Sequence, residues 1–185
     1  MSQAIFLGFD PGFTTGFCRA VYNPETNTLL VTDMKPIPLN TRHPTIRMEN
    51  PPIPCFGDFW GRIADVFQDA YEDAVGEPGE GMVVHTAIED FVGGKGGDIQ
   101  NTVNKLIGII MATSFSQDEA TFSEPKVYRN KSRIKYLPIV AEKTKGLKDI
   151  SPHSKDAMAH LLHRVFQECP DQFATIKFEF ELTAP

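Results

Sequence analysis

The stretch Ala4-Ile5-Phe6-Leu7-Gly8-Phe9-Asp10-Pro11-Gly12-Phe13-Thr14-Thr15-Gly16 decides how the rest of the chain is read. Its first six residues are an unbroken apolar run with no helical period, which predicts a strand buried on both faces in the middle of a sheet. The run is cut short by Asp10 and carries no basic flank, so it reads as a strand and not as a signal peptide. Pro11-Gly12 turns the chain at once and leaves the Asp10 carboxylate at the strand's end. Buried there alone it would cost several kcal/mol, or its pKa would climb until it protonated. It needs a partner or a cation, unless it only caps the Pro-Gly turn.

Working outward, Gly16 to Tyr22 and Thr28 to Asp33 are strand-like and separated by the turn signal Asn23-Pro24-Glu25-Thr26-Asn27, which predicts a three-strand antiparallel meander. Residues 36–54 hold six of the fourteen prolines, so neither ladder nor helix is expected to run far there; with its flanks (34–58) this reads as an insertion. Asp58 is placed to cap a helix in which Phe59, Ile63, Phe67, Ala70 and Ala74 recur at three- and four-residue steps, ending at Gly76. A strand over Met82 to Ile88 follows. After a glycine-rich loop, Asp98 caps a second helix with Ile99, Val103, Leu106, Ile107 and Ile110 on one side. Thr121 to Tyr128 is a fifth strand weakened by Pro125, and the next segment is helical in part, with Pro138 limiting its length. Ser151-Pro152 opens a helix to about Glu168. Alternation of Ile176, Phe178, Phe180 and Leu182 with charged residues marks a terminal half-buried strand over about 174–183. The order βββ-α-β-α-β-α predicts an α/β fold, a mixed sheet flanked by helices.

At 185 residues, 41% hydrophobic and 23% charged, the composition is that of one ordinary globular domain spanning 1–185 and excludes a disordered chain, a collagen-like repeat or a coiled coil. No apolar run reaches the roughly 20 residues of a membrane span. A cytoplasmic protein without a membrane partner is expected. Cys18, Cys55 and Cys169 are odd in number and far apart, which indicates neither a disulfide framework nor a thiolate zinc site. The net charge of −6 is unevenly spread: residues 126–148 carry eight Lys and Arg against Glu142 alone, a local +7, leaving −13 elsewhere. That asymmetry fits a nucleic-acid footprint on an acidic body, and also a merely solvated basic face.

Glu89 closes its strand as Asp10 closes the first. Asp156 lies early in the last long helix, with His153 three residues before it and His160 four after it on the same face. Two strand-terminal acids and a helical His-x-x-Asp pair can gather three carboxylates and an imidazole around one point, where divalent cations are needed to offset the repulsion. Hard oxygen donors favour Mg²⁺ or Mn²⁺ over zinc, and two such ions about 3.5–4 Å apart are the usual device for phosphodiester hydrolysis.

The string Phe6 to Gly16, with Asp10-Pro11-Gly12 followed by Thr15-Gly16, resembles the opening of the RuvC family of Holliday junction resolvases. Ala87-Ile88-Glu89 is similar to that family's second acidic site, and His153-Ser154-Lys155-Asp156-Ala157 to its closing catalytic helix. The resemblance implies an RNase H-like fold with a mixed five-stranded sheet, here with an extra C-terminal strand. It further implies a homodimer, and Mg²⁺-dependent (or Mn²⁺-dependent) paired, symmetric nicking of branched DNA, with Asp10, Glu89, His153 and Asp156 as catalytic ligands of two ions and no organic cofactor. The proline-rich insertion, the glycine-rich loop after Glu89, the form of the basic segment and the strand after residue 174 depart from the bacterial enzyme and resemble the divergent members of bacteriophages; a phage origin would place the protein in the host cytoplasm.

DNA contacts are expected from Lys126, Arg129, Lys131, Arg133 and Lys135 in the basic segment. Phe91 is placed either to stack at a branch point, worth about 1–3 kcal/mol per base, or in the core. Lys95 is placed to touch phosphate or to stay solvated. Asp90 competes with Glu89, but strand alternation lets only one of them face inward. His43, His85 and His163 have no evident partners. Asp10 to Thr14 also resembles the phosphate turn of the sugar kinase and actin superfamily, which needs far more chain than this. An RNase H-like nuclease for flaps, single strands or RNA, and a non-catalytic module that binds branched DNA, are the alternatives in function.

Overall fold

The computed structural model describes residues 2–42, 53–76, 81–90 and 97–182. Its centre is β1 (Ala4–Asp10), buried at every position, as its continuous apolar run requires. It pairs antiparallel with β2 (Thr14–Asn23), from Ala4 opposite Tyr22 to Asp10 opposite Gly16, and β2 pairs antiparallel with β3 (Thr28–Pro38) across a bulge at Arg19/Ala20. The turn into β2 is closed by the Thr15 hydroxyl, which donates to the Gly12 carbonyl at 3.1 Å. Asp10 therefore does not serve as the turn's cap.

β3 runs further than the prolines suggest. Pro36 and Pro38 sit opposite Gly16 and Thr14, on a part of β3 with no further strand outside it, where a missing N–H forfeits no ladder bond. Two short strands, β4 (Thr41–Arg42) and β5 (Ile53–Pro54), then pair antiparallel at the base of the insertion. The helix α1 (Phe56–Val75) starts one turn before the predicted cap: Cys55 is the N-cap and Asp58 lies in the first turn. Its buried side is Phe59, Ile63, Val66, Phe67, Ala70 and Ala74.

β6 (Val83–Asp90) returns parallel to β1, with Gly8 opposite Ala87 and Phe9 opposite Ile88. α2 (Gly97–Phe115) already includes Asp98 and buries Val103, Leu106 and Ile110. The fifth strand is broken as Pro125 predicts: Phe122 bridges Val84, and β7 proper (Lys126–Arg129) pairs parallel with the end of β6. α3 (Asn130–Lys143) contains Pro138 rather than stopping at it. Pro138 and Ile134, whose carbonyl the proline leaves without a donor, are both on the exposed side, where water can replace the bond. α4 (Pro152–Glu168) begins as predicted, the Ser151 hydroxyl accepting from the Ser154 N–H at 3.0 Å. β8 (Lys177–Phe180) adds in parallel outside β3. The sheet order is β7-β6-β1-β2-β3-β8, five strands plus the terminal addition.

α1 and α2 cover one face of the sheet around Ile5, Leu7 and Phe9; α3 and α4 cover the other around Phe6, Cys18 and Tyr22. Strand parity then sends the Asp10 side chain to the α4 face, with Phe6 and Gly8. α4 lies almost on the sheet there. A Cβ on Gly8 would stand 2.3 Å from the Ala157 carbonyl oxygen, and one on Gly16 1.9 Å from that of His153. Further along α4, buried Arg164 donates from Nη2 to His85 Nδ1 at 3.2 Å and to the Ser123 hydroxyl at 3.1 Å, and its Nε pairs with Glu168 at 3.1 Å. His85 thus has partners after all, and burial followed by the Arg164 charge lowers its pKa to about 4, which keeps the imidazole a neutral acceptor. His163 also has a partner, its Nδ1 lying 3.2 Å from the Tyr136 hydroxyl.

Gly16→Ala must lift the start of α4 off β2, since the obstruction is backbone. We expect a loss of stability of about 1–3 kcal/mol or more in chemical denaturation, whereas Gly57→Ala, at an open position, should be neutral or better.

Candidate active site

β1 and β6 are adjacent and parallel, so their carboxyl ends lie side by side and deliver Asp10 and Glu89 to the same edge of the sheet. His85, Ala87 and Glu89 share one parity. His85 stacks on Phe6 under α4, with ring centroids 4.9 Å apart, so Glu89 faces α4 and Asp90 the other way. Asp10 and Glu89 are 9% and 5% exposed, and each carboxyl acts on the other's titration. The N-terminal half of α4 closes the site from above: His153 Nδ1 lies 2.9 Å from Asp10 Oδ2, and two turns on, the fully buried His160 brings Nε2 to 3.4 Å from Glu89 Oε2. Asp156 is near enough for its charge to act on Asp10, but its carboxylate is ion-paired with Arg133, in the first turns of α3.

Three of the four predicted ligands, Asp10, Glu89 and His153, are therefore in direct contact or one side chain apart, and the fourth is held aside. Two further residues take part. His160 was visible in the sequence as the next position on the face of His153 and Asp156, without an assigned role. Arg133 was expected on DNA; only the parallel pairing of β7 with β6, which sets the start of α3 beside the carboxyl ends of the strands, brings it here.

The electrostatics show an excess of negative charge. Burial, the Glu89 hydrogen bond and the charges of Glu89 and Asp156 raise the Asp10 pKa to about 9 against the opposing pull of Arg133. Burial also pushes Glu89 up, but the neighbouring His160 imidazole and Asp10 carboxyl and the charges of His160 and Arg133 outweigh it and bring Glu89 down to about 2. Asp156 is raised by burial and by the charge of Glu89, with Arg133, His153 and His160 opposing. The Asp10–Glu89 pair thus holds one proton through neutral pH, the behaviour of two carboxylates that cannot both ionise without a cation.

Among the described residues no three His, Cys, Asp or Glu side chains stand together as a ready metal cage. The Arg133 guanidinium engages Asp156, one of the carboxylates that such a cage would use. The donor set, three carboxylates and an imidazole, is oxygen-rich and fits a hard divalent cation such as Mg²⁺ or Mn²⁺, whose binding would displace the proton.

Of the residues expected on DNA, Lys126 and Arg129 on β7 and Lys135 on α3 are exposed; Lys126 pairs with Glu124 at 3.3 Å, and Lys135 lies over the Phe166 ring at 4.4 Å. Phe91 and Lys95, just beyond Glu89, lie outside the described residues, as do His43 and the side chain of Lys131.

No protein-family model matches the chain, and no curated protein matches it. Solved structures do. Thermus thermophilus RuvC in complex with a Holliday junction substrate superposes with a TM-score of 0.58 at 14% identity, covering 91% of this chain and 97% of its own. A further Thermus thermophilus RuvC structure gives 0.56 at 16% identity, with 89% and 95% covered. The fold is that of RuvC, an RNase H-like fold. The likeness is one of fold, and no described helix is long and apolar enough to cross a membrane.

Metal-free stability should carry the mark of the acid pair. Glu89, lowered in the folded state, contributes stability that is complete above about pH 4.5. Asp10, raised from 3.8 to about 9, favours the folded state below about pH 4, and that contribution is lost as pH climbs toward 9. In chelator, Asp10→Asn should therefore raise the melting temperature at about pH 8 by several degrees more than at about pH 5. Equal shifts at both pH values would show that the pair shares no such proton.

Proposed function

We propose that this protein is a divalent-cation-dependent endonuclease that resolves four-way DNA junctions by paired, symmetric incisions, acting as a homodimer. The observation that carries this reading is the Asp10–Glu89 carboxyl pair at the ends of adjacent parallel strands, closed over by His153 and Asp156 of α4, within a RuvC fold. Asp10, Glu89, His153 and Asp156 would hold two cations, which when bound activate water and offset the charge on the departing 3′ oxygen. The chain's own residues do the rest. His160 Nε2 stands 3.4 Å from one Glu89 oxygen, which bounds the carboxylate on that side. Buried Ile88 and Phe9 beneath the acids exclude bulk water from one side, which strengthens every charge interaction at the site. Lys126, Arg129 and Lys135, exposed around the same end of β7 and α3, supply phosphate contacts that position DNA without reading sequence. Phe91, next but one after Glu89 in the sequence, is assigned to stacking at the branch point and Lys95 to a phosphate contact.

A junction has approximate two-fold symmetry, so two identical sites related by the same axis are the simplest source of paired cuts. The face assigned to the second copy is the apolar groove of about 550 Å³ between α1 and α2, lined by Phe56, Trp60, Lys105, Gly108, Ile109 and Ala112, where Trp60 is 60% exposed.

The test is cleavage of labelled four-way junction, flap and linear duplex with and without Mg²⁺. We expect Mg²⁺-dependent cutting of the junction on two opposing strands within one binding event, abolished by Glu89→Gln with junction binding retained. Preferential cutting of flaps or single strands would replace the substrate in this reading, unpaired nicks would remove the dimer, and full activity of Glu89→Gln would overturn the site.

A further inference from the structure

Arg133 differs from every other described basic side chain in the 126–148 segment. Lys126, Arg129, Lys135, Lys143, Lys145 and Lys148 are exposed, as a solvated phosphate-binding face requires; Arg133 is 22% exposed on its side chain and pairs through Nη1 with Asp156 Oδ2, itself 22% exposed. Its positive charge acts on all three carboxylates, Asp10, Glu89 and Asp156. Its Nε is buried without a hydrogen-bond partner, so the guanidinium is only half satisfied where it stands.

A carboxylate oxygen engaged by a guanidinium is not free to ligate, and a divalent cation brought beside that guanidinium would be repelled by it. Arg133 and a cation at Asp156 are therefore competitors. A phosphate oxygen pair would suit Arg133 better than one carboxylate oxygen does, because it accepts two parallel N–H bonds from the fork and can take the idle Nε.

Resting on the nuclease reading above, we propose that Arg133 is a resident stand-in for a cation. It occupies Asp156 in the metal-free protein, and it yields that carboxylate to the second cation when a DNA phosphate takes up the guanidinium. Binding of the second cation and binding of DNA are then coupled through one side chain, and the coupling is reciprocal. Arg133 is a positioning residue in this scheme, and its removal from Asp156 is what completes the site.

The experiment reads Mn²⁺ binding directly, by electron paramagnetic resonance and calorimetry, on the whole chain without DNA. Arg133→Gln should tighten the weaker Mn²⁺ event by roughly tenfold, Arg133→Lys by less, and in an Asp156→Asn background Arg133→Gln should have a much smaller effect, the remainder being its longer-range charge on Asp10 and Glu89, the signature of a direct pair in a double-mutant cycle. In parallel, Mn²⁺ should tighten binding of labelled linear duplex more in the wild type than in Arg133→Gln. Unchanged or weaker Mn²⁺ binding by Arg133→Gln, with Asp10→Asn still losing a site, overturns the role of Arg133 alone. If Asp10→Asn binds Mn²⁺ as the wild type does, there is no carboxylate cation site, and this inference falls together with the nuclease reading.

Discussion

Two carboxyl groups forced together at the ends of adjacent parallel strands are the constraint around which this molecule is arranged. Asp10 and Glu89 are buried beside each other, and burial with the neighbouring Glu89 carboxylate holds the Asp10 carboxyl far above the usual carboxylate range. Nothing in the sheet itself requires acids at these positions: apolar side chains would pack under α4 and carry no such cost. Against a net folding stability of about 5–15 kcal/mol typical of proteins, a buried like-charge pair is a substantial cost. The imidazoles of His153 and His160 and the guanidinium of Arg133 then become intelligible as the partial compensation available from protein groups alone.

The rest of the fold serves to hold that pair in place. β1 can sit in the middle of the sheet because its residues are apolar on both faces and buried at every position. α4 can bring His153 and His160 to the acids because Gly8, Gly16 and Ala157 let its backbone rest on β1 and β2. The far end of the helix is tied by Arg164 to His85 and Ser123, so it can neither slide nor lift without breaking a buried polar network, which is costly in a low-dielectric interior. Short-range packing and long-range polar ties act on the same helix, and the site is rigid at the shell that supports it.

Much of this could be read before any coordinates. Continuous burial of β1, the meander, the Ser151-Pro152 start of α4, and the rule that only one of Glu89 and Asp90 can face inward all follow from strictly local rules: apolar runs, turn residues, capping and strand parity. The features that escaped are those that depend on neighbours distant in sequence. Pro36 and Pro38 join β3 because no strand lies outside them, and Pro138 stays in α3 because its side of the helix is open to water. The partners of His85 come from Ser123 and Arg164, on other elements. Arg133 was assigned to a basic face by its neighbours in sequence, and only the parallel pairing of β7 with β6 turns it to Asp156. Charge counting located the segment and could not sort its members.

The central claim is that a proton held between Asp10 and Glu89 keeps the place of a divalent cation. Calorimetric titration of the protein with Mg²⁺ near neutral pH, in two buffers of different ionisation enthalpy, measures that proton directly. The account predicts release of about one proton per chain on binding, absent in Asp10→Asn. Mg²⁺ binding with no proton released by the wild-type protein would contradict it.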